Sequence, residues 1–221
     1  IKLPDHLADI SQTEIKFTLK SNGDVIYLFK QTDQGTEYED SNSAYSEMTP
    51  ELRRRYQQEL LSFFAQNAIA RKDLTTNYSQ YPGIFSIEIE APQYAIMDDE
   101  FLYCDLPHFF DDLLVFRSTT RTHPLEHDYW YDEQISIHVS LPSDYEVISA
   151  PSSFEWNGPQ QCGKIKIDSR YDKATHTLTL IGKAAMRPAI ISAHQFNQLI
   201  EGERQLSHPD RYTLLLKKKT P

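Results

Sequence analysis

Residues His123-Pro124-Leu125-Glu126-His127 read H-x-x-E-H, the ligand pattern of one class of zinc hydrolases. In that chemistry both imidazoles share one face of a helix and hold one ion, while the glutamate works on the bound water. Pro124 opposes such a helix, because proline pushes the residue before it out of the helical region and supplies no amide donor. Strand-patterned residues begin by Ile135, which leaves little room for a metal-bearing helix, and no downstream helix offers an obvious third carboxylate. The expectation is no metal site and no cofactor, with a zinc hydrolase using His123 and His127 as an alternative.

Other reactive patterns are weaker. There is no G-x-S-x-G, and neither Cys104 nor Cys162 lies at a helix start that would stabilise a thiolate. None of the seven glycines forms a phosphate-cradling G-x-G-x-x-G or G-x-x-x-x-G-K-[ST] loop. The two cysteines could form one disulfide or stand as two buried or half-exposed thiols. Acidic clusters at Asp98-Asp99-Glu100, Asp111-Asp112 and Asp132-Glu133 lack the D-x-[DN]-x-[DN]-G calcium-loop spacing and read as solvated turn carboxylates. No catalytic residue is therefore assigned. The candidate binding residues are aromatic: Tyr129, Trp130 and Tyr131, with Trp156 further on, could stack on sugar rings or on an exposed peptide. In a strand Trp130 would face opposite to its two tyrosine neighbours, so one of those faces should be core.

The segments that must position these residues follow a strand period. EIKFTL (14–19), VIYLF (25–29), IFSIEIE (84–90), ISIHVSL (135–141), KIKID (164–168), HTLTLIG (176–182) and YTLLLKK (212–218) are strand candidates. Several alternate apolar with polar residues, as a sheet wet on one face requires. Ser21-Asn22-Gly23-Asp24 and Tyr171-Asp172-Lys173-Ala174 supply tight turns, which predicts two hairpins. A helix is predicted over 50–67, capped by Thr49, with Pro50 at its first position and Leu52, Tyr56, Leu60, Phe63 and Phe64 as its apolar stripe. A second, over about 192–205, opens on the S-x-x-Q capping box of Ser192 and Gln195 and buries Phe196, Leu199 and Ile200.

The fold class is thus mainly β with two amphipathic helices, a β-sandwich-like α+β architecture. Leu3-Pro4-Asp5, hairpin and helix are echoed by Leu141-Pro142-Ser143, hairpin, helix and closing strand. This reads as a weak repeat of two related β-rich modules, 1–95 and 96–221, against the alternative of chance similarity.

Composition limits the partners. At 221 residues the chain can bury a real core, and its net charge of -10 argues against attraction to nucleic acid or anionic membrane. The short run Lys217-Lys218-Lys219 reads as a soluble chain end. No run approaches the ~18 apolar residues that would span a bilayer. IKLPDHLADI lacks the pattern of a signal peptide, and the start at Ile1 suggests a piece of a longer protein, cut downstream of any targeting segment.

From Arg121-Thr122-His123-Pro124-Leu125 through ISIHVSLPSDYEVISAPSSFEW to RYTLLLKK, the second half resembles the C-terminal β-rich region of bacterial transglutaminase-like proteins. The motifs are an R-x-x-P-[LV] step, a strand ending in Leu-Pro, a Pro-x-x-Phe turn, and a terminal helix and strand. The first half fits as well, so the resemblance covers nearly the whole chain. It implies that His123-Pro124-Leu125 is the entry to a sheet, and that the family's Cys-His-Asp machinery belongs to a domain preceding Ile1. It also implies a periplasmic or cell-envelope setting, in which a Cys104–Cys162 bridge is chemically permissible. The expected function is a non-catalytic accessory region that packs beside or positions the upstream transglutaminase-like domain. A glycan- or peptide-binding module using the exposed aromatics is the alternative.

Overall fold

The structure, a computed structural model, describes residues 10–108, 110–128 and 130–220. In the first part of the chain lie β1 (Ser11–Leu19), β2 (Val25–Asp33), α1 (Thr36–Ser46), α2 (Pro50–Phe64), β3 (Ile69–Asn77) and β4 (Gly83–Ala91). There follow β5 (Ile96–Asp98), β6 (Phe101–Asp105), β7 (Leu125–His127), β8 (Tyr131–Ser140), β9 (Tyr145–Ser149) and β10 (Phe154–Asn157). The last elements are β11 (Gly163–Asp172), β12 (Thr177–Met186), β13 (Ala189–Ile191), α3 (Phe196–Leu206) and β14 (Thr213–Lys218).

Eight strands form one sheet in the order β10-β11-β12-β8-β1-β2-β4-β3. All neighbours are antiparallel except β1 and β8, which run parallel from Ser11 beside Glu133 to Thr18 beside Ser140. Residues 11–91 therefore supply four neighbouring strands, residues 131–186 the other four, and one parallel ladder joins them. A smaller sheet has the order β5-β6-β14-β9, and β7 pairs with β13 alone.

Alternation decides what each face meets. Ile15, Phe17 and Leu19 of β1, Ile135, Ile137 and Val139 of β8, and Leu178 and Leu180 of β12 point to one side and are buried. Their polar neighbours point to the other side, as period-2 patterning demands. The small sheet lies against the apolar side through Leu102 and Cys104 of β6 and Leu214 and Leu216 of β14, so the two sheets share one core with the helices. This is the mainly β, α+β architecture expected. Turn chemistry closes the first hairpin: Gly23 takes φ +83, and a Cβ there would stand 2.8 Å from the Ala95 carbonyl oxygen.

Both expected helices form, with different margins. Thr49 caps α2 by accepting a hydrogen bond from the Leu52 amide, but α2 ends at Phe64 rather than 67. Its apolar stripe is narrower than expected. Tyr56, Leu60 and Phe64 pack on the core, whereas Leu52 is 52% and Phe63 87% exposed. Ser192 and Gln195 exchange the expected bonds, Ser192 Oγ accepting from the Gln195 amide at 3.3 Å and Gln195 Oε1 from the Ser192 amide at 3.4 Å, but they close a turn before the helix, whose N-cap is Gln195 without a side-chain cap. Regular helix then runs from Phe196, burying Phe196, Leu199 and Leu206. The turn of the second hairpin lies at 173–176, where His176 adopts φ 51. Helix α1 was not anticipated, and Leu3-Pro4-Asp5 lies outside the described residues.

Candidate functional site

The H-x-x-E-H segment is extended. Leu125, Glu126 and His127 form β7, with Leu125 opposite Ile191 and His127 opposite Ala189. His123 sits in the exposed bend before the strand. In a strand Leu125 and His127 share one side and Glu126 takes the other, so the helix-borne zinc arrangement cannot form on this backbone. His127 faces a hollow of about 260 Å³ lined by Leu125, Cys162, Met186, Ile191 and Leu199. Burial lowers the His127 pKa, favouring the neutral imidazole, against the opposing pull of Asp128.

The aromatic candidates separate. Tyr129 lies outside the described residues. Trp130 precedes β8 rather than lying within it, and it is 70% exposed. The Arg187 guanidinium stands over its ring at 4.9 Å. Arg187 is itself held by Asp132 Oδ1 at 2.8 Å and the Tyr131 carbonyl at 3.0 Å, so one indole face is backed by a fixed cation. Tyr131 is half-buried, and its hydroxyl donates to Glu133. Trp156 is a core residue, 8% exposed. Its slot depends on Gly202 of α3, where a Cβ would come within 2.4 Å of the indole nitrogen, and on Gly158. Of the four residues, Trp130 is the one that presents a ring to solvent among those described.

The acidic clusters also divide. Asp98 ends β5 and Asp99-Glu100 form the turn to β6, with Glu100 3.2 Å from the Lys217 ammonium. The side chains of Asp111 and Asp112 lie outside the described set. Asp132 and Glu133 are not turn residues but begin β8, on opposite sides of the sheet. Glu133 turns toward the core, where desolvation first, and the charge of Glu37 second, push its carboxyl up to about 7.

Sequence reasoning passed over Asp33, which is fully buried at the end of β2. Its carboxyl accepts from the Tyr78 hydroxyl at 2.6 Å, Gln31 Nε2 at 2.8 Å, Ser41 Oγ at 3.2 Å and Ser11 Oγ at 3.3 Å. One carboxyl thereby ties β1, β2, α1 and the segment after β3. The alternation of β2 could have flagged it, since Asp33 stands in phase with buried Val25 and Tyr27. Both cysteines are free thiols in the core, and burial pushes each thiol up, away from nucleophilic character.

The outward side of the small sheet mixes exposed apolar residues with Asp98, Asp105 and Lys217. Ile96 stands opposite Tyr103, and Tyr103 opposite Leu215. Ile96 is 66% exposed and Ile148, on β9, 51%. Neither terminal strand, β5 or β9, has a further strand beside it among the described residues.

Among the described residues the geometry is that of a β-rich protein with two main sheets, an exposed Trp130 before β8, and Ile96, Tyr103 and Ile148 exposed on the small sheet. The chain belongs to the family described as a domain of unknown function with a solved structure (DUF3858), which matches residues 102–216. That match opens and closes on one cross-strand pair, Leu102 with Leu216. No curated protein matches the chain. Among solved structures, the crystal structure of baculovirus P35 aligns over 96% of this chain and 97% of that one, at 8% identity and a TM-score of 0.23. A superposition that loose carries no argument. No helix is long and apolar enough to cross a membrane among the described residues.

Proposed function

We propose that this chain is a non-catalytic β-rich accessory region of a transglutaminase-like cell-envelope protein, packing beside the enzyme domain of the same polypeptide and positioning it. The observation that carries the reading is the outward face of the small sheet, where Ile96, Tyr103 and Ile148 meet solvent around a half-buried Leu215. Covering such a face gains about 25 cal/mol per Å² of apolar surface removed from water. The resemblance of the second half to the C-terminal region of transglutaminase-like proteins supplies the partner and the periplasmic or cell-envelope placement. Both cysteines have raised thiol pKa values, which suits packing better than acyl transfer. The purified chain is expected to show no turnover on peptide amides with or without an acceptor amine. Robust turnover that survives repurification would overturn the reading.

Trp130 supports a second reading, recognition of a glycan or peptide. Its exposed ring, backed by Arg187, is the kind of platform on which a sugar or an aromatic side chain stacks. Binding here predicts quenching of indole fluorescence by ligand that is lost in Trp130→Ala. A quench that persists in that variant would remove the reading.

A further inference from the structure

A surface separate from the small-sheet face, and bordering the Asp132–Arg187 pair behind Trp130, lies on the outward side of the eight-stranded sheet. We propose that it carries a binding track for an acidic oligosaccharide, crossing the strands through Thr32, Gln12, Gln134, Lys183 and Lys166. These five residues form one cross-strand row. Thr32 is the register partner of Gln12, Gln12 of Gln134, Gln134 of Lys183, and Lys183 of Lys166. Four interstrand steps of about 4.8 Å make the row roughly 19 Å long. Two hollows of about 280 and 270 Å³ lie along it and share Gln134, the first beside Gln12, Thr32 and the cross-strand pair Glu14 and Lys30, the second beside Lys164, Lys166 and Lys183. Two carboxylates also line the second: Asp132 is held by Arg187 at 2.8 Å, and Glu133 turns to the core side of the sheet.

The charges in the second hollow are the unexpected feature. Lysines directly opposite on antiparallel strands repel, and Lys166 faces Lys183 in this way. Lys166 is offset by Asp168 at 2.6 Å, and Lys164 by Glu155 at 2.8 Å. Lys183 is exposed and has no hydrogen bond or ion pair from its side chain among the described residues. In a chain of net charge -10, a surplus cation held against another is a local minority charge, and a bound anion would relieve it.

The rest of the row selects the kind of anion. Gln12, Gln134 and Thr32 also have no side-chain partner among the described residues, and their carboxamides and hydroxyl both donate and accept, as sugar hydroxyls do. Ile181, 43% exposed, gives the first hollow an apolar floor for the C–H face of a ring. An extended peptide is disfavoured because the row crosses interior strands whose backbone groups are already paired, leaving no ladder for it to join.

The test is calorimetric titration of the full chain with trigalacturonate, with maltotriose, triglutamate and sodium sulfate in parallel. Trigalacturonate is expected to bind, weakened by at least about tenfold in Lys183→Ala and several-fold in Gln134→Ala, and unchanged in Lys218→Ala. Lys183→Ala should melt at or above the parent temperature, since it removes a repulsion; Lys183→Gln serves as a second variant. Absence of trigalacturonate binding, or equal binding by Lys183→Ala, overturns the proposal. So does maltotriose or sulfate binding as tightly, and equal binding of triglutamate would make the surface an acidic-peptide site instead.

Discussion

Asp33 accepts four hydrogen bonds in a fully buried position, and every donor comes from an uncharged side chain. Removing the acceptor leaves the Tyr78 hydroxyl buried, and the Gln31 amide half-buried, without their partner, which costs more than the bonds themselves contribute. Asp33→Ala is expected to lose about 2–4 kcal/mol, read from the urea midpoint at unchanged slope. Gly202→Ala puts a methyl group against the Trp156 indole, and overpacking of this kind costs about 1–3 kcal/mol. Its check is a lowered melting temperature together with a shift of the Trp156 emission. Glu133 sets a pH dependence. Its folded pKa, about 7, is raised above the ordinary carboxyl value of 4.5, so between those values the folded state holds the extra proton. Its contribution therefore favours folding at low pH and declines as pH rises from about 4.5 to 7, by on the order of 2 kcal/mol. Glu133→Gln should flatten that part of the stability profile and gain most above pH 7. A profile with the same slope in the variant would contradict the assignment.

The elements differ in what holds them. Helix α1 buries no residue. It is attached by the rings of Tyr38 and Tyr45 against Tyr78 and of Tyr45 against Phe85, and by polar contacts: Ser41 Oγ to Asp33, the Tyr38 hydroxyl to the Tyr78 carbonyl at 2.7 Å, and the Tyr45 and Tyr56 hydroxyls at 3.3 Å. An element anchored through two tyrosine rings, with no fully buried residue, opens locally before the sheet does. Its amides are expected to exchange with solvent at least about tenfold faster than those of β1, and equal protection would refute this. The same contrast explains what the sequence made legible. All seven expected strands form, because long alternating segments such as IFSIEIE carry their own face assignment. The edge strand β3, IARKDLTTN, carries charges and register shifts in place of alternation, and β6, β9 and β10 are four or five residues long. Helix α1, TEYEDSNSAYS, has no apolar stripe to read. At the candidate sites, Pro124 signalled that its predecessor His123 stays out of a helix, a purely local effect, and β7 begins just after it. The burial of Trp156 was hidden, since its slot is made by Gly202 from a distant helix.

At the scale of the molecule, two four-strand groups joined through the β1–β8 ladder make one sheet, and the small sheet covers part of its apolar side. The outward side of the large sheet is polar, whereas that of the small sheet exposes Ile96, Tyr103 and Ile148. This asymmetry is the basis for assigning the small sheet to contact with an enzyme domain. It is tested by thiol labelling of Ile96→Cys, since the native Cys104 and Cys162 are fully buried and give little background. In the isolated chain the new thiol should react rapidly. Within the parent polypeptide its rate should fall by at least about tenfold, while Thr179→Cys on the outward side of the large sheet reacts equally in both. Equal rates for Ile96→Cys in the two settings would contradict the account.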